Sequence, residues 1–262
     1  MKNRLNNNAR ERLIFALDIG EDINRALEWV ELLKDHVGVF KVGKESYTRF
    51  GPELVLKIQE MGGKVFLDLK FHDIPNTVAR AAEAAVKLGV SMFNLHALGG
   101  KKMMEETVIA VEKMVEKSGA SMPCILAVTV LTSLNDDDLE MLGFSETAEE
   151  IVPNLARIAR DAGVSGVVAS ARDVVSIRKI CGEDFIIVTP GIRGSMKVAG
   201  DDQKRILTPG EAIRRGADFI VVGRPILMSD DPVSAADEIC KEISEGLEQV
   251  RGQRSGVRSQ NK

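Results

Sequence analysis

The stretch Val65-Phe66-Leu67-Asp68-Leu69-Lys70-Phe71-His72-Asp73-Ile74-Pro75-Asn76-Thr77 carries an apolar run into three charged side chains and then into a proline. The run has the length and composition of a β-strand. Pro75 reads as the first residue of a helix, where its missing N–H costs nothing. Residues two apart on a strand share a face, so Asp68 and Lys70 project together near the strand's end, with Asp73 just beyond in the turn. An isolated Asp-x-Lys-x-x-Asp can be no more than a solvated strand end with a surface salt bridge. Enclosing such a pair is costly, and its position after an apolar strand points to a use.

Outward from this junction, the same alternation repeats. Short apolar runs occupy 13–17, 37–42, 65–69, 91–95, 124–128, 166–169, 185–188 and 219–222. Amphipathic segments lie between them at 23–34, 52–61, 77–88, 101–117, 148–162, 173–180 and 209–215, and a last one follows at 232–250. The runs are continuously apolar, as for strands covered by helices on one side and filled by side chains on the other. Eight strand–helix units in a chain of 262 residues predict an α/β fold of the (β/α)8 TIM-barrel type. The competing doubly wound sheet wants G-x-G-x-x-G after its first strand, whereas this one ends in Asp18-Ile19-Gly20. No linker divides the chain. The expected organisation is an N-terminal extension at 1–12, one catalytic barrel at 13–250 and a flexible tail at 251–262.

Composition removes several function classes. The net charge is −4 and aromatic residues make up 4% of the chain, so neither a basic footprint nor a base-stacking platform for nucleic acid is evident. No apolar stretch reaches the ~20 residues a spanning helix needs, and the polar start lacks a signal core. A cytoplasmic protein is expected. Cys124, Cys181 and Cys240 are too far apart in sequence for a zinc pattern and read as reduced thiols, with Cys124 in the core.

In a (β/α)8 barrel, chemistry sits where the strands end. There the sequence places Asp18, Lys41, Asp68, Lys70, His96, Thr129, Thr132, Ser133, the run Thr189-Pro190-Gly191-Ile192-Arg193, and Gly223-Arg224. Gly223 allows close backbone approach and Arg224 offers a forked, permanently charged donor, a pair suited to phosphate after the last strand, with Arg193 facing it. The glycine-containing segment 194–207, with Gln203, suits a closing lid. Lys41 and Lys70 alternate with Asp68 and Asp73. Carboxylate neighbours favour the ammonium form, so these lysines suit proton donation and stabilisation of negative charge on carbon rather than Schiff-base chemistry. His96 reads as a hydrogen-bonded rim histidine, and His36 and His72 as structural or exposed. No His, Asp and Glu spacing argues for a metal site.

In these motifs the chain resembles the orotidine 5′-phosphate decarboxylase family, bacterial type. The resemblance rests on Ala16-Leu17-Asp18, Phe40-Lys41-Val42-Gly43, the run Asp68 to Thr77, Thr129-Val130-Leu131-Thr132-Ser133, Thr189-Pro190-Gly191-Ile192-Arg193 and Val222-Gly223-Arg224, in order over nearly the whole chain. It implies conversion of orotidine 5′-monophosphate to uridine 5′-monophosphate and carbon dioxide without metal or cofactor. It implies Lys70 as proton donor to C6 and Asp68 against the leaving carboxylate. Lys41 would bridge Asp68 and the ribose, and Asp18 would hold ribose hydroxyls. Thr132 and Ser133 would read the pyrimidine edge. Arg193, Gln203, Gly223 and Arg224 would grip the phosphate, and Pro190 would touch the substrate. It further implies a homodimer in which Asp73, Ile74 and Thr77 reach into the neighbouring site. A related group, similar to 3-keto-gulonate-6-phosphate decarboxylase, shares Asp-x-Lys-x-x-Asp but uses magnesium; this wants a carboxylate on strand 2, where the present chain has Lys41.

Overall fold

Parity along each strand decides what fills this molecule. In β1 (Leu13–Ala16), Leu13 and Phe15 join the layer beneath the helices, while Ile14 and Ala16 face a second, inner cluster. The inner cluster continues with Val39 of β2 (Val39–Gly43), Phe66 of β3 (Val65–Phe71) and Met92 of β4 (Met92–His96). Cys124 and Leu126 of β5 (Cys124–Val128) follow, and Val168 of β6 (Gly166–Val168) packs against them. Ile186 and Val188 of β7 (Ile186–Thr189) and Phe219 and Val221 of β8 (Phe219–Val222) complete the interior. The computed structural model describes residues 8–20, 22–192 and 207–260. Its strands are all parallel and pair in sequence order, and β1 pairs with β8, closing the barrel. Each fully buried Phe, such as Phe66 or Phe219, contributes about 1.5–3 kcal/mol by leaving water. Burial pushes the Cys124 thiol up to about 12, as suits an inert core group.

The ring of helices comprises α1 (Ile23–Leu33), α2 (Lys44–Glu60), α3 (Pro75–Lys87), α4 (Lys101–Ser118), α5 (Asp136–Met141), α6 (Ala148–Asp161), α7 (Val174–Cys181), α8 (Pro209–Arg215), α9 (Arg224–Leu227) and α10 (Pro232–Gln260). The eight expected strands and their order agree with the structure, with ends shifted by up to two residues. The second helix starts eight residues earlier than the expected 52–61. Gly51, at φ 61°, kinks it at the Gly51-Pro52 step, so the proline that read as a helix start is an interruption. The short helices α5 and α9 carry too few apolar positions to show a period. Helix α10 extends past residue 250 into the expected tail. The expected lid and the residues Arg193 and Gln203 lie outside the described residues. Among the described residues no helix is long and apolar enough to cross a membrane.

Candidate active site

The inner parity that fills the barrel with Val39, Phe66 and Met92 places polar residues two positions later on the same strands: Lys41, Asp68 and Asn94. All three therefore stand one layer above the apolar plug, at the C-terminal ends of neighbouring strands. Register agrees, since Lys41 pairs with Phe66, and Gly43 with Asp68.

Beyond Asp68, strand β3 ceases to be regular. Leu67 pairs with Phe93, but the next partner pair is Phe71 with Leu95, so four steps of β3 match two of β4. This bulge frees Lys70 from the ladder, and its backbone adopts φ 54°, which no other non-glycine residue among those described shares in sign. The Lys70 amide donates to Asn94 Oδ1 at 2.7 Å, and Asn94 Nδ2 donates to Asp68 Oδ1 at 2.7 Å. Lys70 Nζ reaches the same Asp68 Oδ1 at 2.6 Å. The two charged groups meet, as alternation predicts, but a bulge rather than an ideal strand delivers them.

The charges form a chain of alternating sign. Lys41 Nζ lies 3.0 Å from Asp18 Oδ1 and 3.4 Å from Asp68 Oδ2, and Asp68 then binds Lys70. Glycine at 43 gives the first pair its room, because a Cβ there would stand 3.1 Å from both Asp18 Oδ1 and Lys41 Nζ. Lys41 and Asp68 are nearly enclosed, while the side chains of Lys70 and Asp18 are 25% and 50% exposed, so the chain opens to solvent at its ends. Beside it lies a cavity of about 190 Å³ floored by Phe66, Val128, Val168 and Val221 and bordered by Lys41, Asp68 and Lys70. Val130, Leu131 and Thr132, after β5, and Ala169 and Pro190, after β6 and β7, close its sides. An apolar plate next to fixed charges of both signs suits a flat ring that develops charge at one atom.

The other expected residues are distributed as follows. Thr132 lines the cavity, whereas Ser133 is exposed and does not border it. Gly223 and the exposed Arg224 stand at the end of β8, and a Cβ at 223 would come within 3.2 Å of Ala16 Cβ, so the approach of β1 favours glycine there. Asp73, Ile74 and Thr77 are exposed on the outer side of the β3–α3 junction. Asp73 Oδ1 accepts from the Ile74 amide at 2.6 Å, and Pro75 opens α3 as expected. Within a single chain, none of the three borders the cavity.

His96 departs from its expected reading as a hydrogen-bonded rim residue. Its Nδ1 is buried and has no hydrogen-bond partner among the described residues. Its ring instead packs on that of His72, with centroids 5.3 Å apart. Burial, reinforced by the neighbouring His72, Lys44 and Lys70, brings its pKa down to about 4. Asn94 was missed altogether. Counting two positions on from Met92 would have found it: a buried amide on the inner face of an apolar strand must have partners.

Among the described residues no group of three or more His, Cys, Asp or Glu could hold a metal ion. A model of the orotidine 5′-phosphate decarboxylase / HUMPS family matches residues 11–239. The chain is 64% identical over 246 residues to the orotidine 5′-phosphate decarboxylase of Syntrophus aciditrophicus (strain SB), covering 94% of this chain and 98% of that protein. It is 54% identical over 241 residues to the protein of the same name from Syntrophotalea carbinolica, covering 92% and 98%. Among solved structures, orotidine 5′-phosphate decarboxylase from Lactobacillus acidophilus superposes with a TM-score of 0.77 at 37% identity, covering 88% of this chain and 98% of that one.

Proposed function

The chain belongs to the orotidine 5′-phosphate decarboxylase / HUMPS family, and from that premise we propose that it decarboxylates orotidine 5′-monophosphate to uridine 5′-monophosphate, the last step of de novo pyrimidine nucleotide synthesis, in the cytoplasm. The observation that carries the reading is the chain Asp18–Lys41–Asp68–Lys70 beside an apolar cavity. Cleavage of the C6–carboxylate bond leaves the electron pair on C6 and releases carbon dioxide. That vinyl-type carbanion has no conjugated sink, so it needs a cation already in place. Lys70 supplies the positive charge, transfers one N–H proton to C6, and is reprotonated from solvent. Asp68 stands against the substrate carboxylate, and their repulsion vanishes as carbon dioxide leaves. Lys41 links Asp68 to the ribose, whose hydroxyls Asp18 holds. Thr132, which lines the cavity, faces the pyrimidine edge. Gly223 and Arg224, with Arg193 and Gln203, take the phosphate, whose remote binding energy is available to the transition state, and Pro190 borders the bound substrate from the cavity wall.

The exposure of Asp73, Ile74 and Thr77 supports a homodimer in which they complete the neighbouring site. The second reading, a magnesium-dependent sugar-phosphate lyase, shares the Asp-x-Lys-x-x-Asp element. Its metal does not fit these residues, because the ammonium of Lys41 occupies the space between Asp18 and Asp68 that an oxygen-coordinated cation would need. The test is release of carbon dioxide from orotidine 5′-monophosphate with a chelator in excess. Undiminished turnover is expected; no carbon dioxide from orotidine 5′-monophosphate, together with magnesium-dependent turnover of a 3-keto sugar phosphate, would transfer the chain to the second reading.

A further inference from the structure

We propose that Asn94 is a positioning residue for this reaction: its amide fixes both ends of the Asp68–Lys70 pair, setting the carboxylate with its N–H and the lysine backbone with its C=O. The proposal rests on the reading of Lys70 as proton donor and deepens it.

Asn94 is fully buried on the inner face of β4, in the layer of Lys41 and Asp68 directly above the apolar layer of Met92. An amide in that position is costly unless its polar atoms are used. Both are used, and the chemistry of the partners fixes which atom faces which. A backbone N–H only donates, so Lys70 N must face Oδ1; an ionised carboxylate only accepts, so Asp68 Oδ1 must face Nδ2. No other side chain of this size presents an acceptor and a donor side by side in one plane. An ionised aspartate keeps the acceptor but sets a second negative charge against Asp68. Leucine offers neither.

The location adds the second observation. Asn94 lies opposite the bulge, between Phe93 and Leu95, the two residues that pair with Leu67 and Phe71. There β3 has lost its ladder, and Lys70 holds a positive φ that disfavours any residue with a Cβ. The bond from Lys70 N to Asn94 replaces the missing ladder contact and holds that backbone conformation. The same amide turns Asp68 so that Oδ1 meets Lys70 Nζ at 2.6 Å, which leaves Oδ2 toward Lys41. One side chain thus sets the origin and the aim of the proton donor, and misplacement of a reacting group by an ångström lowers a rate about 10²-fold.

Two variants separate the two bonds. Asn94→Leu removes both. Its kcat is expected to fall about 10²-fold, while KM and the calorimetric affinity for uridine 5′-monophosphate stay within about threefold. Asn94→Asp is isosteric and keeps the acceptor for Lys70 N. Burial and the adjacent Asp68 raise the pKa of the introduced carboxyl, the Lys70 and Lys41 ammoniums that oppose this being held on Asp68, and its protonated form regains a donor toward Asp68. Its kcat relative to wild type is therefore expected to recover at least about tenfold between pH 8 and pH 5.5. Mere core packing would not produce that recovery, and it carries the test if Asn94→Leu fails to fold. A folded Asn94→Leu with kcat within twofold of wild type overturns the proposal. So does an Asn94→Asp variant whose kcat and nucleotide affinity drop together without recovery at low pH. If wild type releases no carbon dioxide from orotidine 5′-monophosphate, the functional reading fails instead. Hydrogen exchange then decides the positioning: faster exchange of the Lys70 amide in Asn94→Leu, with the Leu95 amide unchanged, supports it, and equal exchange overturns it.

Discussion

Two charge networks stand at opposite ends of the barrel, and they terminate differently. At the N-terminal end, Arg178 donates to the carbonyls of Gly216, Gly182 and Phe185 and pairs with Asp218. Asp218 Oδ2 also accepts from the Ile187 amide, and Arg12 donates to the Asp218 carbonyl. These charges are consumed largely by the backbone at the starts of β7 and β8; within this network Arg12 Nε is left buried without a partner among the described residues. At the C-terminal end, Asp18, Lys41, Asp68 and Lys70 are satisfied mainly by one another, beside a cavity, and one of them sits on a strained backbone. A network that ends on main-chain groups locks a fold, because nothing is left to offer a ligand. A network that ends on its own members keeps interactions that a substrate can exchange.

The sharpest way to break this contrast is to delete one member at each end. On the proposed role of Lys70 as proton donor and charge beside C6, Lys70→Ala should lower kcat by at least about 10³-fold, while nucleotide affinity survives. Stability should change by less than about 1 kcal/mol, since the lysine is partly exposed. Lys70→Gly should be the more stable of the two by about 1 kcal/mol, because glycine adopts the positive φ without strain. Steady-state turnover and urea midpoints read both effects. Turnover retained in Lys70→Ala would remove the upper network from catalysis.

A deletion at the lower end should reverse the pattern. Arg178→Met leaves Asp218 buried without its strongest partner and should cost about 3–5 kcal/mol, with kcat per folded molecule within about twofold of wild type. A variant that keeps its stability but loses turnover would show that the two ends are not separate in role.

An intermediate effect is expected at Arg224, which is exposed and belongs to neither network. Arg224→Ala should raise KM for orotidine 5′-monophosphate about 10–100-fold, as for loss of a charge-assisted hydrogen bond, and leave kcat less affected. Turnover of orotidine, which lacks the phosphate, should be unchanged. Equal loss with both substrates would place Arg224 elsewhere than at the phosphate.

Much of this was legible in the sequence. The eight apolar runs gave strand order and closure, because a continuous run between helical segments has few other places to go. The charged residues at 18, 41, 68 and 70 followed from position at strand ends. What period-two reasoning could not show was the bulge. Asp68 and Lys70 do meet, yet through a shift of register and a positive φ that no residue type in Leu69-Lys70-Phe71 announces. Asn94 was hidden for a related reason: one polar residue in Met92-Phe93-Asn94-Leu95-His96 reads as an imperfection in an apolar strand until the opposite strand's unmet donor is known. The helix beginning at Lys44 was masked by Gly51-Pro52, which reads as a start and acts as a kink.

The smallest expected effect concerns two titrations that oppose each other. His96, beside the upper network, has a folded pKa of about 4 against an unfolded value near 6.5. Between these values the unfolded chain binds more protons, so its contribution to stability is present above pH 6.5 and lost as pH falls toward 4. Asp173, before α7, is raised to about 6 by burial, with Glu149 adding to the effect. Here the folded chain binds more protons between about 3.8 and 6, so acidification through that window stabilises. After allowance for partial exposure each is worth roughly 1 kcal/mol. His96→Asn should therefore reduce the loss of stability between pH 6.5 and 4, whereas Asp173→Asn should steepen it and raise the urea midpoint at pH 7. Parallel pH profiles for the two variants and wild type would mean that neither group is desolvated as the structure places it, and that the upper end of the barrel is wetter around His96 than its unpartnered Nδ1 implies.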